Sequence, residues 1–367
     1  MDKNLYTGEI DKLIIDIYLV TDKLGVGSNS SLYKAINKKT NKIVTIKKIH
    51  DVFKDKLYIK KAYKEILLHE QFSNHPNVSF LKNVIKTNKD IYLIFEYIDT
   101  NLHSIYKTDL FNQNHKKYIV YQLFKVLKYI HESNIIHRDL KLTNILINKE
   151  CDLKLTDFGF AKIKDNTSKD YNDTDSDLND YVSIRYYRAP ELLLGSKHYD
   201  ESVDMWSLGC IIAELFTGNV LFQGNSTLNQ LELIIKITGK PNDEDIASIK
   251  SLLAKGLLEH VVYKGKIDIT EYLKKGKDKL SDVTLDLISK LLVFNPCKRI
   301  TAKIGLSHKF FDDFRGLVGF EDLNKEEEAE NKEIKGSNVV NIECREDFKD
   351  SSKDNNKDNN KDNNIET

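Results

Sequence analysis

The stretch Ile135-Ile136-His137-Arg138-Asp139-Leu140-Lys141-Leu142-Thr143-Asn144-Ile145-Leu146-Ile147 sets two apolar runs around a polar loop, and its reading decides the rest. An aspartate placed to accept a hydroxyl proton, a lysine two residues on for charge on a transferred phosphoryl group, and an asparagine three residues later as a Mg2+ ligand form the set that phosphoryl transfer needs. Those are Asp139, Lys141 and Asn144. The run LKLTDFGFAK at 153–162 then places Asp157 in a strand-to-loop context as a second metal ligand, and Ala189-Pro190-Glu191 follows. Three such stretches in this order have a negligible chance of arising at random.

Upstream, LGVGSNSSLYKA at 24–35 puts Gly25 and Gly27 between two strand-like runs, where backbone could approach a phosphate with no Cβ in the way. A dinucleotide-binding loop would open a helix and keep a third glycine; here Ser30 takes that place and a strand follows. Alone, the loop is equally an ordinary hairpin turn. Lys47 lies on the next strand, where its ammonium could reach phosphates under the loop. Glu65, inside a helical pattern over 57–72, is a candidate partner for Lys47, with a solvated helix glutamate as the rival reading.

Short strand-like runs, IDIYLV, SLYKAI, KIVTIKKI and DIYLIFEYI, dominate the first hundred residues apart from that helix. From about residue 115 helical patterns take over: KKYIVYQLFKVLKYIHES, SVDMWSLGCIIAELFTG, TLNQLELIIKIT and SDVTLDLISKLLVF. The expected fold is α+β and two-lobed, with a ligand in the cleft between lobes. The chain of 367 residues carries 56 Lys+Arg against 56 Asp+Glu, so no global field steers nucleic acid or an acidic membrane surface. Apolar runs such as 210–216 fall short of the roughly 20 residues that span a bilayer, and the N-terminus has no signal-peptide pattern. The expectation is a soluble monomer of the cytoplasm or nucleus that binds neither nucleic acid nor membrane. Cysteines at 151, 210, 297 and 344 offer neither a disulfide framework nor a zinc pair. From about residue 312 the sequence turns to Glu, Lys, Asp and Asn and ends in three KDNN units at 353–364, a composition expected to stay disordered.

Over residues 18–311 these motifs resemble the eukaryotic protein kinases, and within them the CMGC group. The stretch YVSIRYYRAPELLLGSKHYDESVDMWSLGCIIAELFTGNVLFQGNSTLNQLE at 181–232 is similar to mitogen-activated protein kinases, and DIYLIFEYIDTNL and NPCKRITA point to their atypical extracellular-signal-regulated branch. The resemblance implies a kinase domain with a small lobe at 18–98 and a large lobe at 99–311, an extension at 1–17 and a tail at 312–367. It implies ATP and Mg2+ as cofactors and protein hydroxyls as acceptors, Ser or Thr before Pro. ATP would lie under Leu24, Gly25, Val26, Gly27, Ser28, Asn29, Ser30, Ser31 and Leu32. Lys47 and Glu65 would form the nucleotide-orienting pair, and Glu96 and Ile98 would bind adenine through backbone groups beside a bulky Phe95. Asp139 would be the catalytic base, with Asn144 and Asp157 on the metal. Glu191, Arg299 and Asp204 would brace the large lobe.

The sequence also departs from the family. The family's activating Thr-x-Tyr motif reads Asn179-Asp180-Tyr181 here, leaving Tyr181 as the modifiable residue, by an upstream kinase or by autophosphorylation. Of the family's three phosphothreonine-gripping arginines, Arg138 remains while Lys64 and Lys162 fill the other places. The phosphotyrosine-gripping pair, Arg185 and Arg188, is intact in a chain with only six arginines. Lysine drift is the bland account of that pattern. The expected switch is phosphotyrosine 181 on Arg185 and Arg188, with Asp170, Asp173, Asp175, Asp177 and Asp180 supplying charge toward Arg138. Ile184 stands where the family has Thr, with Ser183 beside it, Thr45 replaces an alanine over adenine, and His69 replaces a leucine in an apolar stack. Two other readings stay open: a glycogen synthase kinase relative, from Tyr186 where mitogen-activated kinases carry Trp, and a pseudokinase scaffold.

Overall fold

The computed structural model describes residues 8–108, 110–164, 185–273 and 280–314. The chain divides at Asp313, the elements below belong to the unit Met1–Asp313, and the tail expected to be disordered lies, from residue 315 on, outside the described residues.

A five-stranded antiparallel sheet, order β1-β2-β3-β5-β4, forms the small lobe from β1 (Tyr18–Val26), β2 (Ser30–Asn37), β3 (Ile43–Ile49), β4 (Leu81–Lys86) and β5 (Ile91–Glu96). Alternation sets its two faces. Val44, Ile46, Tyr92 and Ile94 point one way, into a core with Tyr18, Val20, Tyr33 and Ala35. Ile49, Leu93 and Phe95 point the other way, onto Val52 and Ala62. Lys47 shares the parity of Ile49, so the register that buries Ile46 turns the lysine toward the helix side. That helix, α2 (Lys56–Gln71), is capped by the Asp55 side chain on the Leu57 N–H and buries Ala62, Glu65, Leu68 and His69 in one stripe.

Two elements differ from the sequence reading. The IDI of IDIYLV lies in a short helix, α1 (Lys12–Ile17), which closes the outer face of the sheet with Ile10 and the fully buried Ile14. Glu9 accepts from Lys23 Nζ (2.6 Å) and Tyr33 Oη (3.0 Å), and Asp11 accepts from Tyr92 Oη (2.7 Å), fixing this segment to the sheet. Strand β4 went unread because four of its six residues are exposed, so no alternation marks it.

In the large lobe, the helix Gln113–Glu132 packs on Ser202–Thr217, every residue of which is buried. Further helices run over Thr227–Thr238 and Asp282–Leu291. Arg299 reaches Glu191 in a bidentate pair (2.6 and 2.7 Å), donates to three backbone carbonyls and lies 5.1 Å from the Trp206 ring centroid. The bracing expected of that pair is present. Among the described residues no helix is long and apolar enough to cross a membrane.

Candidate active site

The site lies where β3, α2 and the loops around Asp139 and Asp157 converge. Lys47 Nζ sits between two carboxylates, 2.6 Å from Glu65 Oε1 and 2.8 Å from Asp157 Oδ1. Burial works to lower the lysine's pKa, but Asp157 and Glu65 outweigh it and raise the value. Burial likewise pushes Asp157 up, yet Lys47 and then Lys141 hold it well below the usual carboxylate range, whereas burial dominates at Glu65 and raises it. The cluster is directional: Lys47 is held beside a carboxylate, Asp157, that still presents a face to solvent.

The Asp139 loop is set by Asp204, which is fully buried and accepts from the N–H groups of His137 and Arg138 at 2.8 Å each and from His131 Nε2 at 2.9 Å. Asp139 Oδ2 takes Lys141 Nζ (2.8 Å) and Asn144 Nδ2 (2.9 Å). Its Oδ1 is buried with no hydrogen-bond partner among the described residues, so it is the oxygen available to an incoming proton. Burial raises the Asp139 pKa above 3.8, Lys141 opposing. Asn144 spends its amide N–H groups on Asp139 O and Oδ2, both 2.9 Å, which leaves its carbonyl oxygen as the atom it can offer a cation. No group of three or more His, Cys, Asp or Glu among the described residues could hold a metal by itself. The amide of Asn144 and the carboxylate of Asp157 therefore fit a hard cation whose remaining ligands are phosphate and water, the usual habit of Mg2+.

Backbone strain marks the same place. Arg138 and Asp157 adopt left-handed φ of 66° and 69° although neither is glycine. Such residues cost on the order of 1–3 kcal/mol and persist where surrounding structure over-determines them. A stack of rings supports them: Phe95 to His69 (4.8 Å between centroids), His69 to Phe158 (5.0 Å) and Phe158 to His137 (5.1 Å). His69 is fully buried with Nδ1 3.0 Å from the Ser79 carbonyl, and burial depresses its pKa to about 3. It is a neutral core residue in the apolar stack, at the place where the family has leucine.

The glycine loop joins β1 to β2 through a tight turn, Gly27 N–H to Ser30 O at 2.7 Å. A Cβ built on Gly25 meets nothing within 4 Å, so the loop leaves open space there. Leu24, Val26, Ser28 and Leu32 are exposed, while Asn29 and Ser30 are half-buried. Ser31 is turned inward, its Oγ 2.8 Å from His50 Nε2. Glu96 ends β5 with its carboxylate on Lys154 (3.0 Å) and the Phe80 N–H (2.9 Å), and Ile98 follows, half-buried.

On the regulatory side, Arg185 Nη1 donates to the Asn225 carbonyl (3.1 Å). Arg188 is 9% exposed, and its Nε and Nη2 have no hydrogen-bond partner among the described residues. Asp170, Asp173, Asp175, Asp177, Asn179, Asp180, Tyr181, Ser183 and Ile184 lie outside the described residues. Reading the sequence missed Tyr199, whose hydroxyl meets Arg138, and Glu214, which accepts from Tyr187 Oη at 2.6 Å. Both contacts join segments distant in sequence, and no local spacing signals them.

Residues 18–311 match the protein kinase domain family. The chain is 42% identical over 308 residues to "Extracellular signal-regulated kinase 2" of Dictyostelium discoideum, covering 83% of this chain and 82% of that protein. The chain belongs to the mitogen-activated protein kinase family. The kinase is also 41% identical over 309 residues to "Mitogen-activated protein kinase 15" of Xenopus laevis, covering 83% of itself and 52% of that longer protein. It is 36% identical over 322 residues to "Mitogen-activated protein kinase 13" of Mus musculus, covering 85% of itself and 84% of that one. Membership makes it an ATP-dependent serine/threonine protein kinase of signalling, and sets aside the glycogen synthase kinase and pseudokinase readings.

Proposed function

We propose that the cleft transfers the γ-phosphoryl group of ATP to Ser or Thr hydroxyls of proteins, with proline following, through the following division of labour. Lys47, held by Glu65, orients the nucleotide phosphates beneath residues 24–32, and the backbone at Glu96 and Ile98 takes the adenine. Asp139 Oδ1 accepts the substrate hydroxyl proton, while Oδ2 is occupied by Lys141 and Asn144 and keeps the carboxylate from turning. Lys141 stabilises charge on the moving phosphoryl group. Asn144 and Asp157 are the residues that would hold Mg2+, which would supply charge neutralisation at the phosphates. The single observation that carries this reading is the buried Asp139 Oδ1, without a hydrogen-bond partner among the described residues, in a site that also holds the carboxylate-bracketed Lys47.

Regulation follows from Arg188. A buried guanidinium with two nitrogens unpartnered among the described residues is costly unless an anion arrives, and phosphotyrosine 181, made by an upstream kinase or by autophosphorylation, would supply one. The kinase acts as a monomer on protein partners in the cytoplasm or nucleus in this reading. A peptide-array assay with Mg-ATP on parent and Tyr181→Phe protein, beside intact-mass mapping, tests it. Transfer to Ser/Thr-Pro peptides that drops at least about tenfold in the variant supports it. A fully active parent with unmodified Tyr181 refutes the switch.

A further inference from the structure

Arg138 is 6% exposed and left-handed at φ 66°, so it stays in place only because its surroundings hold it. Its backbone N–H is fixed by Asp204, and its Nε donates to the Phe160 carbonyl at 2.6 Å, three residues past Asp157. One side chain thereby ties the loop of the catalytic base to the loop of the metal carboxylate. Its Nη1 donates to the hydroxyl of Tyr199, and the guanidinium carbon lies 5.8 Å from the centroid of that ring. Lys162 Nζ lies over the same ring at 4.7 Å. Tyr199 is half-buried and stands three residues ahead of the Ser202–Thr217 helix that supplies Asp204.

We infer that Tyr199 is a positioning residue for phosphoryl transfer: its hydroxyl anchors the Arg138 guanidinium and thereby keeps Asp139 and Asp157 in mutual register. The inference rests on the residue roles proposed above. Arg138 is peptide-bonded to Asp139, so a guanidinium that swings to find another acceptor drags the strained backbone next to the base. The same swing releases the Phe160 carbonyl and loosens the loop that presents Asp157. Losing the Tyr199 hydroxyl removes one of the contacts that hold this buried guanidinium in its present rotamer. The partner here is a neutral hydroxyl from the chain's own large lobe, so this anchor is built into the fold. Lys47 keeps its Glu65 partner at 2.6 Å but also pairs with Asp157 at 2.8 Å, so a loosened Asp157 loop should weaken nucleotide capture too, by less than it slows transfer.

Kinetics of Tyr199→Phe, Arg138→Lys and the double variant test the idea, with melting curves of each. Tyr199→Phe keeps the ring beneath Lys162 and removes only the hydroxyl. The expected result is a kcat lowered roughly tenfold, with a smaller rise in KM for ATP, about threefold or less, and the melting temperature within about 2 °C of the parent. The double variant should be no slower than the slower single variant, because both remove one shared contact. An unchanged kcat in Tyr199→Phe, fully multiplicative losses in the double variant, or a melting temperature lowered by more than about 5 °C would each overturn the positioning role. A parent without Mg-ATP-dependent transfer would instead defeat the underlying assignment of the site, so the two failures are separable.

Discussion

Replacing His69 by leucine should make the kinase markedly less sensitive to acid. In the native state the imidazole is fully buried between Phe95 and Phe158, and burial holds its pKa at about 3 against an ordinary 6.5. The native state therefore refuses a proton that the unfolded chain accepts, and stability falls as pH drops below 6.5 until the native group itself titrates near 3. At about 1.4 kcal/mol per pH unit, the loss between pH 7 and pH 5 comes to about 2 kcal/mol from this residue alone. At pH 7 two effects oppose. Losing the Nδ1 contact to Ser79 costs about 1 kcal/mol, while removing the buried Nε2, unpaired among the described residues, returns about 1–3 kcal/mol. Leucine should thus be neutral or slightly stabilising at pH 7 and ahead by about a further 2 kcal/mol at pH 5. Urea unfolding of both proteins at the two pH values measures the difference of differences, in which His75 and the other histidines cancel. An identical loss in parent and variant would show that His69 titrates freely in the native state and refute the reasoning.

Other consequences follow from the same geometry. Arg299→Ala leaves Glu191, 1% exposed, without its bidentate partner, and should cost about 3–5 kcal/mol in urea unfolding. Glu65→Gln keeps the shape but removes one of the two charges bracketing Lys47, and should raise KM for ATP roughly tenfold with the melting temperature little changed. Burial raises the Asp139 pKa, and the base role proposed for it requires the ionised form. The acid limb of kcat/KM should therefore fall with decreasing pH at a midpoint above 3.8, which a pH–rate profile reads directly.

Much of this was legible because chemistry and fold share the same short stretches. The loop at 137–144 could be read from residue types alone, and the alternation of Val44, Thr45, Ile46 and Lys47 gave the strand that aims the lysine. Glu65 was ambiguous because a helix glutamate is usually solvated; only the packing of Ala62 and His69 on the same stripe shows that its face is buried. Strand β4 and α1 were hidden for opposite reasons. The first is an edge with mostly exposed side chains, and the second carries an Ile-rich pattern that fits a strand or a helix at such short length. Tyr199 and Glu214 had no local signal, since each acts through a contact with a segment dozens of residues away.

The most direct measurement is transfer of labelled γ-phosphate from Mg-ATP to a protein substrate by the parent and by Asp157→Ala, with melting curves confirming that both are folded. The account predicts incorporation by the parent and a loss of about a thousandfold or more in the variant at an unchanged fold. Residual turnover within about tenfold of the parent would contradict the role given to Asp157, and a folded parent with no transfer at all would contradict the site as a whole.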